Sequence, residues 1–93
     1  MKLKNVLEDI RTDLLRADPD LEISGICCDS REVKPGDLFV AVRGFSSDGH
    51  KYIPMAVEKG CAAVLCEEAP DCGVPYVLTS DSRLGLALAS CSF

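Results

Sequence analysis

The chain has 93 residues, a hydrophobic fraction of 47% and a formal net charge of −5. This length fits one domain, and such a hydrophobic fraction is typical of a chain that folds. No apolar run reaches 18 residues, and the acidic excess argues against non-specific binding to nucleic acid. Charged residues occupy the start of the chain where a signal peptide would be apolar, so we expect a cytoplasmic protein with no membrane or nucleic-acid partner.

The apolar pattern predicts three helices and four strands. Apolar residues recur at helical spacing near the start, which predicts an amphipathic first helix. Short apolar runs between turn residues predict the strands, and Ser and Asp residues that can cap a helix precede the other two helices. In chain order we predict a helix at 3–15, strands at 23–28 and 38–42, a helix from 47 or 48 to about 59, strands at 62–66 and 74–78, and a helix from 80 or 81 to about 91.

This order predicts an α/β fold, a small layered domain in which helices flank a mainly parallel or mixed sheet of about four strands. The strand at 38–42 is apolar throughout and is therefore expected in a central position. Gly36, after Pro35, suits the positive φ of a type II turn, and Gly60 suits the end of the second helix. Pro75 favours an edge strand or an early position in the last strand.

Six cysteines in so short a chain require an interpretation. They form no C-x-x-C pair, and His50 is not at zinc-finger spacing from any of them. In a chain without a secretion signal we expect reduced and mostly buried thiols, with Cys72, in a loop, as the exposed one. The alternative is an interaction module that depends on thiols or zinc.

The sequence lacks the motifs of several enzyme classes. It has no G-x-x-x-x-G-K-[ST] phosphate loop, no G-x-G-x-x-G and no H-E-x-x-H. Ser30 and His50 could be pictured as parts of a Ser-His-Asp set, but Ser30 lacks the G-x-S-x-G context of a hydrolase nucleophile. A single histidine beside a glycine at a helix start is more typical of capping or packing. We therefore reject a hydrolase.

Two loops carry the candidate binding residues. Ser30 follows the strand at 23–28, and Phe45, Ser46 and Ser47 follow the strand at 38–42. If these strands are parallel neighbours, both loops emerge at one edge of the sheet, where ligands of open α/β sheets bind. Hydroxyl groups, backbone N–H groups and a helix N-terminus suit a nucleobase and a diphosphate. The alternative is that the serines satisfy only local backbone groups.

Longer motifs make the sequence similar to a known family. The string D-S-R-x-V-x-P-G-D-L-F-V-A begins at Asp29, and D-G-H-x-Y-I-x-x-A begins at Asp48. Together with Gly44 and the G-x-A-A-V that begins at Gly60, they resemble the N-terminal domain of the Mur ligases over nearly the whole chain. The combined pattern is specific, whereas any single piece of it is weak.

The resemblance implies a ligase of three domains, of which this chain would be the first. That domain would bind the UDP part of UDP-N-acetylmuramoyl-L-alanyl-D-glutamate, through Ser30, the loop of Phe45, Ser46 and Ser47, and Cys28. No metal site and no catalytic residue are implied here. The central domain would bind ATP and Mg²⁺, and the C-terminal domain would receive the amino acid. This chain alone is therefore expected to be inactive.

Within the family, the sequence resembles most the ligases that add the third amino acid of the peptidoglycan stem, diaminopimelate or L-lysine. The alternative is the related ligase that adds D-alanyl-D-alanine to UDP-muramoyl-tripeptide, whose first domain carries a similar motif set. The residues that choose the incoming amino acid lie in the C-terminal domain in this family, so the sequence leaves the third amino acid open.

Overall fold

A computed structural model describes residues 1–8, 10, 12–42, 49–71 and 73–92, with side chains as far as residue 88. These residues form a helix, three strands, a helix, two strands and a last helix, whereas the sequence predicts two strands after the first helix. The helices are α1 (Leu3–Val6), α2 (Ile53–Glu58) and α3 (Ser82–Ser92), with a 3₁₀ helix at Gly49–Tyr52 that leads into α2. The strands are β1 (Leu14–Arg16), β2 (Gly25–Cys27), β3 (Asp37–Val40), β4 (Ala63–Cys66) and β5 (Tyr76–Leu78).

The strands form one mixed sheet in the order β1-β5-β4-β3-β2. β2, β3, β4 and β5 are parallel, with Ile26 opposite Leu38 in the first of these pairs. β1 runs antiparallel to β5 at the edge. The predicted α/β class is confirmed, and so is the interior position of β3, which pairs with strands on both sides.

The predicted first helix at 3–15 is wrong beyond its first turn. The helix ends at Val6, and residues Leu14–Arg16 form a fifth strand. Leu3, Leu7 and Ile10 are buried as expected. The spacing of these apolar residues therefore reflects their burial in the core and does not require a continuous helix. The backbone of the later residues pairs instead with the free edge of β5, where a strand satisfies more N–H and C=O groups than an isolated helix end.

Each face of the sheet carries its own hydrophobic cluster. Side chains alternate along each strand, so consecutive residues of β3 and β4 point to opposite faces of the sheet and are buried in different clusters. One cluster joins α1 to the sheet and has residues of α3 packed against it, and the other joins α2 to the sheet. In β3, Leu38 and Val40 belong to the first cluster and Phe39 to the second.

The predicted turns and caps agree with the structure where it describes them. Gly36 and Gly60 have φ values of +90° and +92°, in the region that favours glycine. The side chain of Asp81 accepts a hydrogen bond from the backbone N–H of Leu84, at 3.1 Å, and so caps α3. Pro75 comes directly before the first residue of β5, which is an interior strand, so the early position is confirmed rather than the edge. The predicted caps of the second helix, Ser47 and Asp48, lie outside the described residues.

The side chains of four cysteines are described, and these four form no disulfide. Cys66 is buried, whereas Cys27 and Cys61 are half-buried. Cys28 is exposed, which corrects the expectation that Cys72 is the one exposed cysteine. It comes directly after the last residue of β2, the strand at one edge of the sheet, where only one neighbouring strand can cover it. Cys72 lies outside the described residues.

Candidate functional site

The two candidate loops begin at the same edge of the sheet. β2 and β3 are parallel neighbours in register, so Cys28 and Ala41 follow strand ends that lie side by side. Phe45, Ser46 and Ser47 lie outside the described residues. The residues that flank them are joined, because the Gly49 N–H donates a hydrogen bond of 2.9 Å to the Val42 carbonyl.

A cleft of about 600 Å³ opens at this edge. It spans both layers of helices, since α2 and α3 each contribute a side chain to its wall. Two of the predicted site residues, Cys28 and Ser30, line the same cleft, and Ser30 is only 6% exposed. The lining residues are Cys28, Asp29, Ser30, Arg31, Val42, Gly49, Tyr52, Met55 and Leu86.

The turn that carries Ser30 is held by the residues on either side of it. The Asp29 carboxylate accepts hydrogen bonds from the backbone N–H of Arg31 at 2.9 Å and from its guanidinium at 3.1 and 3.0 Å. The hydrogen bonds of the Arg31 side chain, then that of its backbone, lower the pKa of Asp29. The Asp29 carboxylate therefore remains ionised at neutral pH, and its hydrogen bond with the Arg31 N–H holds the turn over Ser30.

The second half of the motif ties this turn to α2. Asp37 accepts a hydrogen bond from the Lys34 N–H at 3.0 Å, and the Gly36 N–H donates one of 3.0 Å to the Gly60 carbonyl. Gly60 follows the end of α2, so the P-G-D segment rests against the helix that also supplies Met55 to the cleft. The P-G-D segment and the end of α2 therefore hold each other in place.

His50 has a structural role, as the sequence predicts. Its Nε2 accepts hydrogen bonds from the backbone N–H groups of Glu67 and Glu68, at 2.9 and 3.2 Å. It lines a different cavity from Ser30, between the start of α2 and the loop after β4. The structure therefore does not bring Ser30 and His50 into one site, which agrees with the rejection of a hydrolase.

Seven lining residues were not proposed from the sequence as contacts, namely Asp29, Arg31, Val42, Gly49, Tyr52, Met55 and Leu86. Tyr52 belongs to the D-G-H-x-Y motif, and its position three residues after Gly49 placed it on the same short helix as the end of the loop. This signal could have identified it. Leu86 gave no such signal, because its approach to the cleft depends on how α3 packs across the sheet.

Neither a metal group nor a membrane span is found in the described part of the chain. Within residues 1–8, 10, 12–42, 49–71 and 73–92, no three His, Cys, Asp or Glu side chains come together in a way that could hold a metal ion. No helix among the same residues is long and apolar enough to cross a membrane.

The fold and the cleft define an α/β domain with an open cleft at the carboxyl edge of its parallel strands. Residues 22–84 match the family model described as "Mur ligase family, catalytic domain". The chain belongs to the Mur ligase family.

Curated relatives agree with this assignment. Over 95 residues the chain is 50% identical to the UDP-N-acetylmuramoyl-L-alanyl-D-glutamate--2,6-diaminopimelate ligase of Chlorobium phaeobacteroides, a match that covers 87% of this chain and 19% of the relative. It is 45% identical over 96 residues to the protein of the same name from Bacteroides fragilis, with 100% and 20% covered. The chain thus spans about a fifth of the length of these relatives.

Solved structures show the same fold. A crystal structure of MurF from Acinetobacter baumannii superposes with a TM-score of 0.82 at 25% identity, and the match covers 98% of this chain and 20% of that one. A second structure of MurF from this organism gives a TM-score of 0.81 at 26% identity, with 94% and 19% covered.

Proposed function

We propose that this chain is the N-terminal domain of a MurE-type ligase and that it binds the UDP part of UDP-N-acetylmuramoyl-L-alanyl-D-glutamate. The observation that carries the proposal is the cleft itself. Cys28 and Ser30, which the family resemblance selects as uridine contacts, line one cleft together with the residues that flank Phe45, Ser46 and Ser47. A site for a nucleotide needs such a polar turn and a neighbouring loop at the edge of the sheet.

The roles of the candidate residues differ. Ser30 is buried and its hydroxyl can both donate and accept, which suits a polar edge of the ligand. Cys28 is exposed and offers mainly packing contact. Phe45, Ser46 and Ser47 would supply an aromatic face, hydroxyls and backbone N–H groups. This division of roles is part of the proposal.

The parent ligase would supply what this chain lacks. We infer that its central domain binds ATP and Mg²⁺ and that its C-terminal domain receives the amino acid, in the cytoplasm. The names of the curated relatives favour diaminopimelate as that amino acid. In such an enzyme the domain described here holds one end of the substrate and takes no part in bond making.

A MurF-type parent is the second candidate, and the solved structures with the same fold carry that name. The identities favour the first candidate, because they are 50% and 45% to the diaminopimelate ligases and 26% and 25% to the MurF chains. Assaying a full-length polypeptide that contains this domain with UDP-muramoyl-dipeptide and UDP-muramoyl-tripeptide distinguishes the two. Turnover of only the tripeptide would overturn the MurE assignment.

A titration of the 93-residue chain with UDP, followed by amide NMR, tests the binding role. We expect shifts at residues 28–31 and 49–55, with a dissociation constant near 1 mM because the contacts of the other two domains are missing. Ser30→Ala should weaken binding by about 1 kcal/mol, and Ser24→Ala, an exposed serine outside the cleft, should not. Shifts confined to other residues would refute the site. ATP hydrolysis by this chain alone would refute the passive role.

A further inference from the structure

The cleft has two unlike walls. The turn after β2 forms a polar wall with Asp29, Ser30 and Arg31. A second wall is mainly apolar, with Tyr52 from the 3₁₀ helix and Met55 from the first turn of α2. This division matches a ligand that has one flat apolar surface and one edge rich in hydrogen-bonding groups.

Tyr52 and Met55 are apolar side chains that the core does not use. They are 38% and 41% exposed, whereas Ile53 and Ala56, on the same short segment, are 3% and 0% exposed and pack in the second hydrophobic cluster. Burying a tyrosine and a methionine against a ligand removes apolar surface from water, which favours binding. The cleft side of this segment is therefore suited to contact with a ligand.

The ring of Tyr52 is also oriented by a neighbour. The ammonium of Lys51 lies over one face of the ring, 5.0 Å from its centroid, in a cation–π contact. A ligand in the cleft then meets the opposite face or the edge of the ring. An aromatic ring that is held in place loses less conformational freedom when it stacks on a ligand.

We propose that Tyr52, with Met55 beside it, packs against the uracil base and makes the site selective for nucleotides over other phosphate compounds. The inference rests on the proposed binding of UDP and names the residue that recognises its base. Uracil presents a π face for the tyrosine and carbonyl and N–H groups for the polar wall, where the buried Ser30 lies. Base–aromatic stacking of this kind tolerates small shifts of the ligand, because it needs a face rather than a fixed donor.

The test compares UDP with ribose 5-phosphate, which has the sugar and a phosphate but no base. Both are titrated by NMR into the wild-type chain, Tyr52→Ala and Tyr52→Phe. We expect Tyr52→Ala to weaken UDP binding about tenfold, as for the loss of one base–aromatic stack, and to leave ribose 5-phosphate binding unchanged. Tyr52→Phe keeps the ring and should bind UDP within about twofold of wild type.

Leu84→Ala is the matched control, because Leu84 is an apolar side chain that is 54% exposed and lines another cavity. It should leave UDP binding unchanged. Thermal unfolding of each variant checks the fold, and Met55→Ala gives a second test of the apolar wall should Tyr52→Ala fail to fold. Unchanged UDP binding by Tyr52→Ala, or equal losses for UDP and ribose 5-phosphate, would overturn the inference. Absence of UDP binding by the wild-type chain would instead overturn the proposed function, and the inference with it.

Discussion

The Lys59 ammonium donates a hydrogen bond of 2.8 Å to the backbone carbonyl of Arg31, which is 28 positions away in the chain. Lys59 follows the last residue of α2, and Arg31 belongs to the turn that carries Ser30. The polar wall of the cleft is thus fastened to the helix that provides part of the apolar wall. Through this contact, the distance between the two walls of the cleft depends on the position of α2.

Replacement of this lysine should loosen the cleft without unfolding the domain. For Lys59→Met we expect less than about 1 kcal/mol of lost stability, because the hydrogen bond is exposed. UDP binding should weaken about two- to fivefold, since the turn around Ser30 is less ordered before the ligand arrives. The measurement is an NMR titration, with Lys34→Met, another exposed lysine, as the control. Equal binding by the two variants would show that the contact does not order the site.

His50 should contribute to stability through its acceptor nitrogen. His50→Ala leaves the backbone N–H groups of Glu67 and Glu68 without the Nε2 acceptor, and we expect a loss of about 1 kcal/mol in urea unfolding. His50→Gln offers a carbonyl oxygen in place of the ring nitrogen and should recover part of this loss. Similar losses for both variants would indicate that the packing of the ring, rather than the acceptor, is what matters.

Gly49 should tolerate no side chain. A Cβ at this position would lie 2.8 Å from the Val42 nitrogen and 3.0 Å from its carbonyl oxygen, at the base of the cleft. Because these are backbone atoms, the chain itself must move, and we expect Gly49→Ala to cost about 1–3 kcal/mol in urea unfolding. It should also weaken UDP binding.

Gly73→Ala provides the comparison for that variant. A Cβ there meets nothing within 4 Å, and the cost is only that of a left-handed backbone with φ of +71°, about 1 kcal/mol. Gly73 is not among the residues that line the cleft, so UDP binding should be unchanged. If Gly49→Ala had the same free energy of unfolding and the same affinity for UDP as Gly73→Ala, the close approach of Gly49 to the Val42 backbone would be contradicted.

Much of the fold follows from short-range patterns. The apolar run at 38–42 has no polar face and so predicted an interior strand, and Asp81 and Gly60 marked a helix start and a helix end by local chemistry. The region of 3–15 could not be predicted in this way. Its apolar spacing fits a helix, but the free edge of β5 decides the conformation of Leu14–Arg16, and that edge exists only in the folded sheet.

The residues of the candidate site also fall into those that the sequence indicates and those that only the structure shows. Ser30 could be selected from the sequence because parallel neighbouring strands place their following turns at one edge. Tyr52 and Met55 look like ordinary members of an amphipathic helix, and only the structure shows that their side chains face the cleft rather than the core. Residues that line a cleft from a different layer, such as Leu86, require the packing of whole elements and leave no local signal.

The cysteines should differ in their rate of alkylation. Cys28 is exposed and lines the cleft, whereas Cys66 is fully buried, and burial raises the pKa of its thiol to about 11. Since the thiolate is the reactive form, iodoacetamide at pH 8 should modify Cys28 faster than Cys66. UDP should slow the modification of Cys28 and leave that of Cys61, outside the cleft, unchanged. Mass spectrometry of peptides measures each rate, and equal protection of both cysteines would argue against binding in the cleft.

Cys66 should also make the domain less stable at alkaline pH. Burial raises the pKa of its thiol from 9.0 to about 11, so the folded chain holds the proton at pH values where the unfolded chain has lost it. The resulting stabilisation is complete below pH 9 and is lost as the pH rises to about 11, with a magnitude of at most about 2 kcal/mol. Cys66→Ala removes the ionisable group, and its free energy of unfolding should therefore fall less steeply over this range.

The comparison of slopes is needed because Cys66→Ala also leaves a small void that lowers stability at every pH. Burial raises the pKa of Cys27 as well, but Cys27 is present in both wild type and Cys66→Ala and affects their slopes equally. Parallel curves for wild type and Cys66→Ala between pH 9 and 11 would contradict the prediction. They would mean that the interior around β4 solvates a thiolate better than the single backbone hydrogen bond from Glu68 and the apolar neighbours of the second cluster allow.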